Sequence, residues 1–383
     1  MNRQLYKRLG DYIREVNVRN RELEVTDLLG VSISKEFIPS IANTIGTDMS
    51  AYKIVMRGQF AYGPVTSRNG DKVSIALLNG FNKAIISQAY TVFEIIDHEQ
   101  LLSEYLMMWF RRPEFDRYAR FHSHGSAREV FDWEELCDVM LPIPSITRQR
   151  EIVAEYETLT HRIRINEQMI QNLESTAQTL YRKMFVDGID KENLPEGWRM
   201  GKLGEFGNII TGKTPSTLDE SNFGNYMPFL TIPDMHNGIF AIKTERGLSK
   251  KGVVVQANKT IPKNSICVSC IGTSGLVVIT TQNCQTNQQI NSIIPQNGSN
   301  LEYIYLTCCG LEKIIAEYGM GGAVLNNLNK SDFENLHIII PPGKMIQKFH
   351  EQVNPLFNGI YLRQQENLIL TELQSLLLAK MGR

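Results

Sequence analysis

The sequence predicts an α+β protein built as a tandem repeat with pseudo-two-fold symmetry, in which two mixed α/β domains are separated by two long antiparallel coiled-coil helices. Three observations predict this fold. The two halves of the chain align with each other, a heptad pattern closes each half, and short strand-like apolar runs precede each heptad segment. The predicted segments are residues 1–147 and 188–345 for the domains, and 148–187 and 346–383 for the helices.

The internal repeat is visible in segments that align at a constant offset of 197 residues. LCDVMLPIP, from Leu136, aligns with FENLHIIIP, from Phe333. Farther along, INEQMIQNLESTAQTLYRKM aligns with LRQQENLILTELQSLLLAKM, which places Leu173 over Leu370. A repeat of this length indicates a duplicated module rather than a short structural motif.

Each half ends in a heptad pattern, with apolar residues at alternating steps of four and three. Asn166 is a polar residue in the first pattern, and Pro355 is expected to kink or delay the second helix. A helix of roughly 36 residues would be about 54 Å long, and two such helices most simply pack on each other. A helix that faces some other partner is the alternative. The predicted seam residues are Ile152, Tyr156, Leu159, Ile163, Ile170, Leu173 and Leu180 in the first helix, and Val353, Leu356, Ile360, Leu370 and Leu377 in the second.

The segments before the heptads have the composition of globular modules. Apolar runs such as SICVSCIG, LVVITT and LHIII alternate with turns rich in Gly, Asn, Pro and Ser. One helix is predicted late in each copy, in HEQLLSEYLMMWFRRPEFDRYARF and in NLEYIYLTCCGLEKIIAEYG. Each copy is therefore expected to be a mixed module of strands and helices.

Composition limits the possible partners and the compartment. The chain has 383 residues with 40 Lys plus Arg and 41 Asp plus Glu, so no global positive field indicates nucleic acid or an anionic membrane. Any DNA binding must use local surfaces or a partner. Apolar runs are too short to span a bilayer, and the amino end lacks a signal-peptide core, so a cytoplasmic location is expected.

Cysteine and histidine patterns are weak evidence for metal. Cys267 and Cys270 spell C-x-x-C in a strand-like run, where positions three apart point to opposite faces of a sheet. We interpret them as buried structural thiols. His122 and His124 could share a strand face, but no third ligand is spaced to join them. No bound metal is expected.

The stretch GNIITGKTPS, from Gly207, matches the spelling of a phosphate-binding loop. Such a loop needs a buried strand before it and an uninterrupted helix after the Lys and Thr. RMGKLGEF before Gly207 is too polar for a central parallel strand, and Gly224 with Asn225 would end any helix soon after Pro215. A turn is therefore predicted in place of a nucleotide site.

Other catalytic motifs are incomplete. NPLF at Asn354 lacks the second Pro of an adenine-methyltransferase motif and lies in a heptad segment. Pro233 and Asp234 could open a nuclease motif, but no acidic-x-Lys element follows. Residues of a nucleophile setting are also missing, so the sequence indicates a binding protein rather than an enzyme.

At the start of the second copy, LPEGWRMGKLGEFGNIITGKTPS, from Leu194, resembles the start of a target-recognition domain in the specificity subunit of type I restriction and modification systems. LPIPSITRQREI and IIIPPGKMIQKF, each running into a heptad segment, resemble the junctions between recognition domain and spacer helix in that family. The resemblance covers essentially the whole chain. The first copy departs from it, because it begins almost directly at LGDY without the LPEGW leader.

This resemblance implies a non-catalytic subunit that reads a split target in double-stranded DNA. In the family, each domain reads one half-site and the antiparallel helices set the unread spacer. The subunit recruits two methyltransferase subunits, which methylate adenine with S-adenosylmethionine, and then restriction subunits that use ATP and Mg²⁺. This chain is expected to bind no cofactor itself.

Candidate DNA contacts follow from loop chemistry within the two domains. They are Arg57, Tyr62, Ser67, Arg68 and Asn69 in the first domain, and Lys213, Thr214, Thr273, Ser274, Asn287 and Gln288 in the second. Lys213 and Thr214 are assigned to phosphate, and the other residues of the second domain to base edges or backbone. Two alternatives stay open from the residues alone: a P-loop nucleotide-binding enzyme, and a coiled-coil scaffold that does not read DNA.

Overall fold

The computed structural model describes residues 6–40, 46–67, 69–70, 72–125, 128–273, 275–315 and 328–382. It shows a mixed α/β protein with a long helix at Ile146–Phe185. The chain forms two compact units: unit 1 is Met1–Arg162 with Leu370–Arg383, and unit 2 is Ile163–Ile369. Each unit thus joins one globular part to segments of both long helices.

Unit 1 contains two four-stranded sheets and a two-stranded pair. Its strands are β1 (Tyr6–Arg8), β2 (Ile13–Val16), β3 (Leu28–Val31), β4 (Phe37–Pro39), β5 (Lys53–Met56), β6 (Phe60–Tyr62), β7 (Ile75–Leu77), β8 (Lys83–Ile86), β9 (Thr91–Ile95) and β10 (Met140–Pro142). One sheet has the antiparallel order β2-β9-β6-β7. The other has the order β4-β3-β8-β5, in which β3 and β8 are parallel. β1 pairs with β10.

The helices of unit 1 cover the first of these sheets. They are α1 (Ser103–Phe110), α2 (Pro113–Phe121), α3 (Trp133–Cys137) and the first part of α4 (Ile146–Phe185). The single helix predicted across α1 and α2 is wrong, because Pro113 pushes the residue before it out of the helical region and restarts the helix as its first residue. Phe60 and Phe93 stack at 4.8 Å between ring centroids in the core beneath α1.

Unit 2 contains a five-stranded sheet, a three-stranded sheet and a two-stranded pair. Its strands are β11 (Arg199–Lys202), β12 (Gly207–Thr211), β13 (Phe223–Leu230), β14 (Phe240–Ala241), β15 (Arg246–Leu248), β16 (Ile266–Ser269), β17 (Val277–Thr280), β18 (Gln285–Thr286), β19 (Ile290–Pro295) and β20 (His337–Ile340). The larger sheet has the order β12-β19-β16-β17-β14, and the smaller has the order β15-β13-β18. β11 pairs with β20. The strands predicted in SICVSCIG, LVVITT and LHIII are confirmed.

The helices of unit 2 include a second long one. Unit 2 contains the second part of α4, then α5 (Lys250–Val255), α6 (Leu301–Gly310), α7 (Lys330–Glu334) and most of α8 (Gly343–Lys380). α6 packs on the five-stranded sheet through Tyr303, Ile304 and Cys308, and its core cluster also takes in residues from both long helices. Burial against the sheet stabilises α6 more than the helix propensity of its residues does.

The two units repeat the same strand plan. The sheet order β2-β9-β6-β7 corresponds to β12-β19-β16-β17, and the parallel pair β3 and β8 corresponds to β13 and β18. Single hydrogen bonds repeat as well: the Leu9 amide donates to the Val139 carbonyl, and the Leu203 amide to the Leu336 carbonyl, both at 2.9 Å. The acceptors are again 197 residues apart in the chain, so the tandem repeat is a repeat of structure.

Of the C-x-x-C cysteines, Cys267 lies in β16 and Cys270 directly follows it, and their side chains lie on opposite faces of the sheet. Cys267 belongs to a core cluster with Leu230 and Val278, and Cys270 to a different cluster with Ile266 and Val268. Burial raises the pKa of the Cys267 thiol to about 12 and that of Cys270 to about 11. The predicted separation of the two side chains by strand alternation is confirmed.

The long helices bury their predicted seam. All seam residues predicted above are buried or half-buried, and Asn166 is fully buried. The expected delay of the second helix is wrong, since α8 begins at Gly343, upstream of Pro355. Val353, Phe357 and Ile360 are buried on either side of this proline, and their packing outweighs the cost of about 3 kcal/mol for an interior proline.

Asn166 makes the polar contact of this seam in unit 2. Its amide donates to Glu366 Oε2 and to Asn367 Oδ1, both at 2.9 Å. Two further contacts join Met169 to Arg363 and Leu173 to Gly359. Residue numbers on α8 decrease from 366 to 363 to 359 as those on α4 increase from 166 to 169 to 173. The helix segments in unit 2 are therefore antiparallel. A buried polar residue of this kind selects one register of two paired helices.

The substitution Asn166→Asp should destabilise the protein, because it places a second carboxyl group against the Glu366 carboxylate. Urea unfolding at pH 8 should show a loss of about 3 kcal/mol, as for an uncompensated buried charge. The loss should shrink as the pH falls and one of the two carboxyl groups takes up a proton. Asn172→Asp, on the exposed side of the same helix, is the matched control and should change little. Equal losses in both variants at pH 8 would contradict this role for Asn166.

Candidate nucleic-acid interface

Three loops of unit 2 emerge at one end of the five-stranded sheet. Thr211 at the end of β12 pairs with Asn291, and Ser269 at the end of β16 pairs with Ile290 at the start of β19. Val268 pairs with Val277, where β17 begins. The loops after β12, between β16 and β17, and before β19 therefore meet at this end, which we call the loop end. The opposite end adjoins the strand pair β11 and β20.

The loop end brings most of the candidate residues of the second domain together. The side chains of Lys213 and Gln288 are exposed, Thr214 is half-buried, and Thr273 is exposed in the next loop. Thr214 Oγ1 donates to Gln288 Oε1 at 2.7 Å, which joins the first loop to the third. These polar groups could donate to phosphates and to base edges from one surface.

One candidate in unit 2 is placed differently. Asn287 is only 9% exposed, and its side chain is taken up by Gln289: its amide donates to Gln289 Oε1 at 3.0 Å, and its Oδ1 accepts from the Gln289 amide. The expected direct contact of Asn287 with DNA is therefore corrected to a role in shaping the loop that presents Gln288. Ser274 lies outside the described residues.

The GNIITGKTPS stretch has the geometry of a strand end rather than of a phosphate loop. Its Gly207–Thr211 part is β12, an edge strand that pairs only with β19 among the described strands. The amides of Gly212 and Lys213 donate to the carbonyls of Ile290 and Thr286, so neither points toward an anion. A phosphate loop needs free amides and a following helix, whereas the next helical residues described are the single 3-10 turn Glu220–Asn222.

Gly212 is required by close packing. A Cβ atom at this position would lie 2.2 Å from the carbonyl oxygen of Asn287 and 2.3 Å from that of Thr286. The glycine lets the β12 end approach the β18–β19 connection and turns the chain so that Lys213 faces solvent. The P-loop reading of this stretch does not fit the structure.

A buried glutamine pair supports the loop end from below. Gln256 Nε2 donates to the Lys213 carbonyl at 2.7 Å and to Gln285 Oε1 at 2.8 Å. Gln285 Nε2 in turn donates to Thr260 Oγ1 at 2.9 Å. Both glutamines are buried, and hydrogen-bonded networks of this kind fix the groups that they join. Sequence reasoning missed them, since a glutamine in a turn gives no sign of being buried.

Unit 1 has a groove at its equivalent loop end, where β6 stops and β7 and β9 begin. The groove has a volume of about 590 Å³. It is lined by Val31, Ser32, Ile33, Gly63, Pro64, Val65, Asn69, Ser74, Ala89, Tyr90 and Arg128. Its lining combines small side chains with an aromatic ring and a guanidinium, which could stack on or bind nucleic acid.

A buried ion pair holds the walls of this groove. Lys35, in the turn after β3, donates to Asp116 Oδ1 of α2 at 2.7 Å and to the Phe110 carbonyl. The same Asp116 oxygen accepts from the Val73 amide at 3.1 Å, just before β7. Burial lowers the pKa of the Lys35 ammonium, and the hydrogen bond to Asp116 opposes that shift. The pair therefore ties two loops of the groove to one helix.

The first-domain candidates divide between the two ends of the sheet. Ser67 is exposed and Asn69 lines the groove, with its amide donating to Ser74 Oγ at 3.1 Å. Arg57 lies at the opposite end, in the turn before β6. Its backbone amide donates there to the carbonyl of Asn82, the residue before β8. Arg68 lies outside the described residues. Arg57 is thus exposed but separated from the loop end by the length of β6.

Tyr62 is a core residue. It is the last residue of β6, its side chain is fully buried, and its ring lies edge-on to Phe93. Burial also raises the pKa of its phenol well above the usual range. Loop chemistry suggested a turn residue here, whereas Tyr62 lies inside β6. The expected DNA contact of Tyr62 is corrected accordingly.

Tyr90 and Arg128 are groove residues that sequence reasoning missed. Tyr90 ends the connection before β9, and Arg128 lies in the segment that leads to α3. In QAYTVFEII the tyrosine stands directly before the residues of β9. An aromatic residue directly before a predicted central strand is the signal that could have identified it.

The histidines of unit 1 join a carboxylate rather than each other. His122 Nδ1 lies 2.9 Å from Glu135 Oε2, and His124 Nε2 lies 3.7 Å from Glu135 Oε1. Among the described residues, no group of three or more His, Cys, Asp or Glu side chains has a geometry that could hold a metal ion. A search of the same residues for a helix long and apolar enough to cross a membrane also found none.

Comparison with known proteins gives the class of this fold and surface. Residues 195–369 match the family model described as type I restriction modification DNA specificity domain. The chain is 28% identical to the type I restriction enzyme HindI specificity subunit of Haemophilus influenzae, over 89% of each chain. It is 26% identical to the MjaIX specificity subunit of Methanocaldococcus jannaschii, over 75% of this chain and 70% of that one.

A solved structure shares the fold. The S subunit of a type I restriction-modification system from M. genitalium superposes with a TM-score of 0.62 at 14% identity, covering 99% of this chain and 96% of that one. Together these findings define a DNA sequence-specificity protein. Residues 195–369 thus match the type I DNA specificity domain, and the relatives that the chain resembles along most of its length are named specificity subunits of type I restriction enzymes.

Proposed function

We propose that the chain reads a bipartite DNA target with one globular domain for each half-site. The observation that carries this proposal is the repeated loop end: both units have the same strand order and present their loops at the same end of the sheet. A duplicated reader with different loops suits a target made of two unlike halves. Within each half-site, polar loop residues would supply base contacts and phosphate contacts.

The two long helices are proposed to form an antiparallel coiled coil that spaces the readers. The helices have 40 and 38 residues, and their heptad positions are buried or half-buried. The Asn166 contacts with Glu366 and Asn367 give one register to their pairing. In this proposal the length of the paired helices sets the number of unread base pairs between the half-sites.

The proposed partners are two methyltransferase subunits and, for cleavage, restriction subunits. S-adenosylmethionine, ATP and Mg²⁺ would be bound by those partners, and adenine methylation would be their chemistry. The formal net charge of −1 supports shared DNA binding, because this chain alone brings little excess charge to neutralise phosphates. Free cysteines fit a reducing cytoplasm, where such a complex would meet its DNA.

The proposed contact set follows the loop ends. In unit 2 it contains Lys213, Thr214, Thr273 and Gln288. In unit 1 it contains Ser67 and Asn69, joined by Tyr90 and Arg128 of the groove, while Arg57 and Tyr62 leave the set. Lys213 supports the assignment because its exposed side chain has no partner among the described residues.

Lys213→Gln should weaken cognate DNA binding by a reconstituted complex of this chain with its methyltransferase subunits. If Lys213 neutralises one phosphate, the slope of log affinity against log salt should fall by about one. The measurement is a fluorescence-anisotropy titration at several salt concentrations. Arg57→Gln is the matched control, because it removes an equal charge in unit 1 at the end of the sheet opposite the loop end. The slope of log affinity against log salt should be unchanged in this variant. Equal slopes for the Lys213 variant and the unsubstituted chain would contradict the assignment.

Single-molecule sequencing of a host that expresses this chain with its methyltransferase subunits should reveal a bipartite motif of methylated adenines. Two short specified blocks should flank a fixed number of unspecified base pairs. A short continuous palindrome would contradict the proposal of one domain for each half-site. Methylation that does not depend on this chain would support the scaffold alternative, in which the chain does not read DNA.

A further inference from the structure

The short helix α5 exposes two of its three valines. Val254 is 74% exposed and Val255 is 60% exposed. Gly252 is buried, since a Cβ atom there would lie 2.0 Å from the Asn222 carbonyl oxygen, and Gln256 is buried just after the helix. A surface helix ordinarily turns its apolar residues to the core, so two neighbouring exposed valines next to a buried glutamine depart from the usual pattern.

The exposed valines and the buried glutamine have an energetic cost. Gln256 is buried with its Nε2 bonded to Lys213 and Gln285, but its Oε1 has no hydrogen-bond partner among the described residues. An unpaired buried oxygen loses its hydrogen bonds to water without replacement, and the exposed valines forgo the stabilisation of burial. Departures from the usual pattern of burial are concentrated at functional sites, where binding a partner offsets their cost.

The valines lie on a larger apolar surface. Leu218 is 96% exposed in the loop after the GKT turn. That loop is tied to α5 by Lys251, whose Nζ lies 2.6 Å from Asp219 Oδ2. Tyr226 is 58% exposed on β13, with the Lys250 ammonium 5.4 Å from its ring centroid. We call Leu218, Tyr226, Val254 and Val255 the apolar ridge.

The apolar ridge adjoins the loop end and carries positive charge. Gln256 links the end of α5 directly to the Lys213 carbonyl, so the ridge continues the proposed DNA surface. Segments 212–222 and 246–260 contain five basic residues against two acidic ones. One of the two carboxylates, Asp219, is already paired with Lys251. Exposed apolar residues alone would suit a protein partner equally well. The excess of lysine and arginine favours an anionic partner instead.

We propose that α5 enters the major groove of the half-site read by unit 2, where Val254 and Val255 contact the C5-methyl groups of thymine. This inference rests on the proposed DNA-reading function and deepens it. The major groove is wide enough for an α-helix, and thymine alone among the four bases carries a methyl group there. Lys213 and Lys250 flank the valines and contact the phosphates on either side.

The recognition works by burial of methyl groups. Cytosine presents no methyl group at the same place in the groove, so a T·A to C·G change leaves the valine side chains without a partner. Burial of one methyl group corresponds to a roughly fourfold change in affinity. The proposal therefore requires at least one thymine, on either strand, in the half-site that unit 2 reads.

The test uses the full chain reconstituted with its methyltransferase subunits and the duplex that methylation mapping identifies as its target. Deoxyuridine replaces thymidine in one half-site at a time, which removes only the methyl group. Replacement in the unit 2 half-site should weaken binding roughly fourfold for each contacted thymine. The double variant Val254→Ser, Val255→Ser, which removes the methyl groups of both side chains, should bind the thymine and uracil duplexes with the same affinity. Val186→Ser, at another exposed valine of unit 2, is the matched control and should retain the difference.

The outcomes separate this inference from the proposed function. A unit 2 half-site without A·T pairs, or uracil replacement without effect in the unsubstituted chain, overturns the contact while the bipartite motif stands. Loss of assembly with the methyltransferase subunits in the valine double variant, with an unchanged circular dichroism spectrum, also overturns it, because the ridge would then bind protein. Circular dichroism and retained recognition of the unit 1 half-site establish that the double variant is folded. A missing bipartite motif would instead contradict the proposed function.

Discussion

Each globular part is closed by pairing between the strand that enters it and the strand that leaves it. β1 pairs with β10, and β11 pairs with β20. Buried tyrosine hydroxyls reinforce this closure: Tyr105 donates to the Pro142 carbonyl at 3.0 Å, and Tyr303 donates to the Ile339 carbonyl at 2.7 Å. Because the chain enters and leaves at one end of each sheet, the loops that carry variable chemistry emerge at the other end. The long helices begin a few residues after β10 and β20, so the same closure determines where they start.

The two units place different surfaces on this shared scaffold. Unit 1 has an open groove lined by small residues, Tyr90 and Arg128. Unit 2 contains α5, a buried glutamine pair and the apolar ridge. Strands of the same order tolerate both arrangements, since loops contribute little to the core and can change without unfolding it. A repeated scaffold with unlike loops accounts for a reader of two unlike half-sites.

Much of the architecture could be predicted from the sequence, because it depends on local periodicity. The repeat, the heptad helices, the strands around Cys267 and the opposite faces of the C-x-x-C pair all follow from patterns within one segment. The rejection of a P-loop at GNIITGKTPS also rested on neighbouring residues. Residue placement at the site was less predictable. Arg57 and Ser67 are near in sequence but lie at opposite ends of a sheet, and only the pairing of β6 with β7 and β9 shows it. Gln256 was missed because burial of a polar side chain depends on partners far along the chain.

The central claim is that DNA lies against the loop ends of both sheets. Zero-length photocrosslinking of the reconstituted complex to a target duplex containing 5-iodouracil, followed by peptide mapping, tests it most directly. The account predicts crosslinks to peptides that contain residues 63–74 and 88–91 of unit 1, and residues 212–218 and 250–260 of unit 2. Crosslinks confined to the opposite ends, at the turn around Arg57 or the connection between β17 and β18, would contradict it.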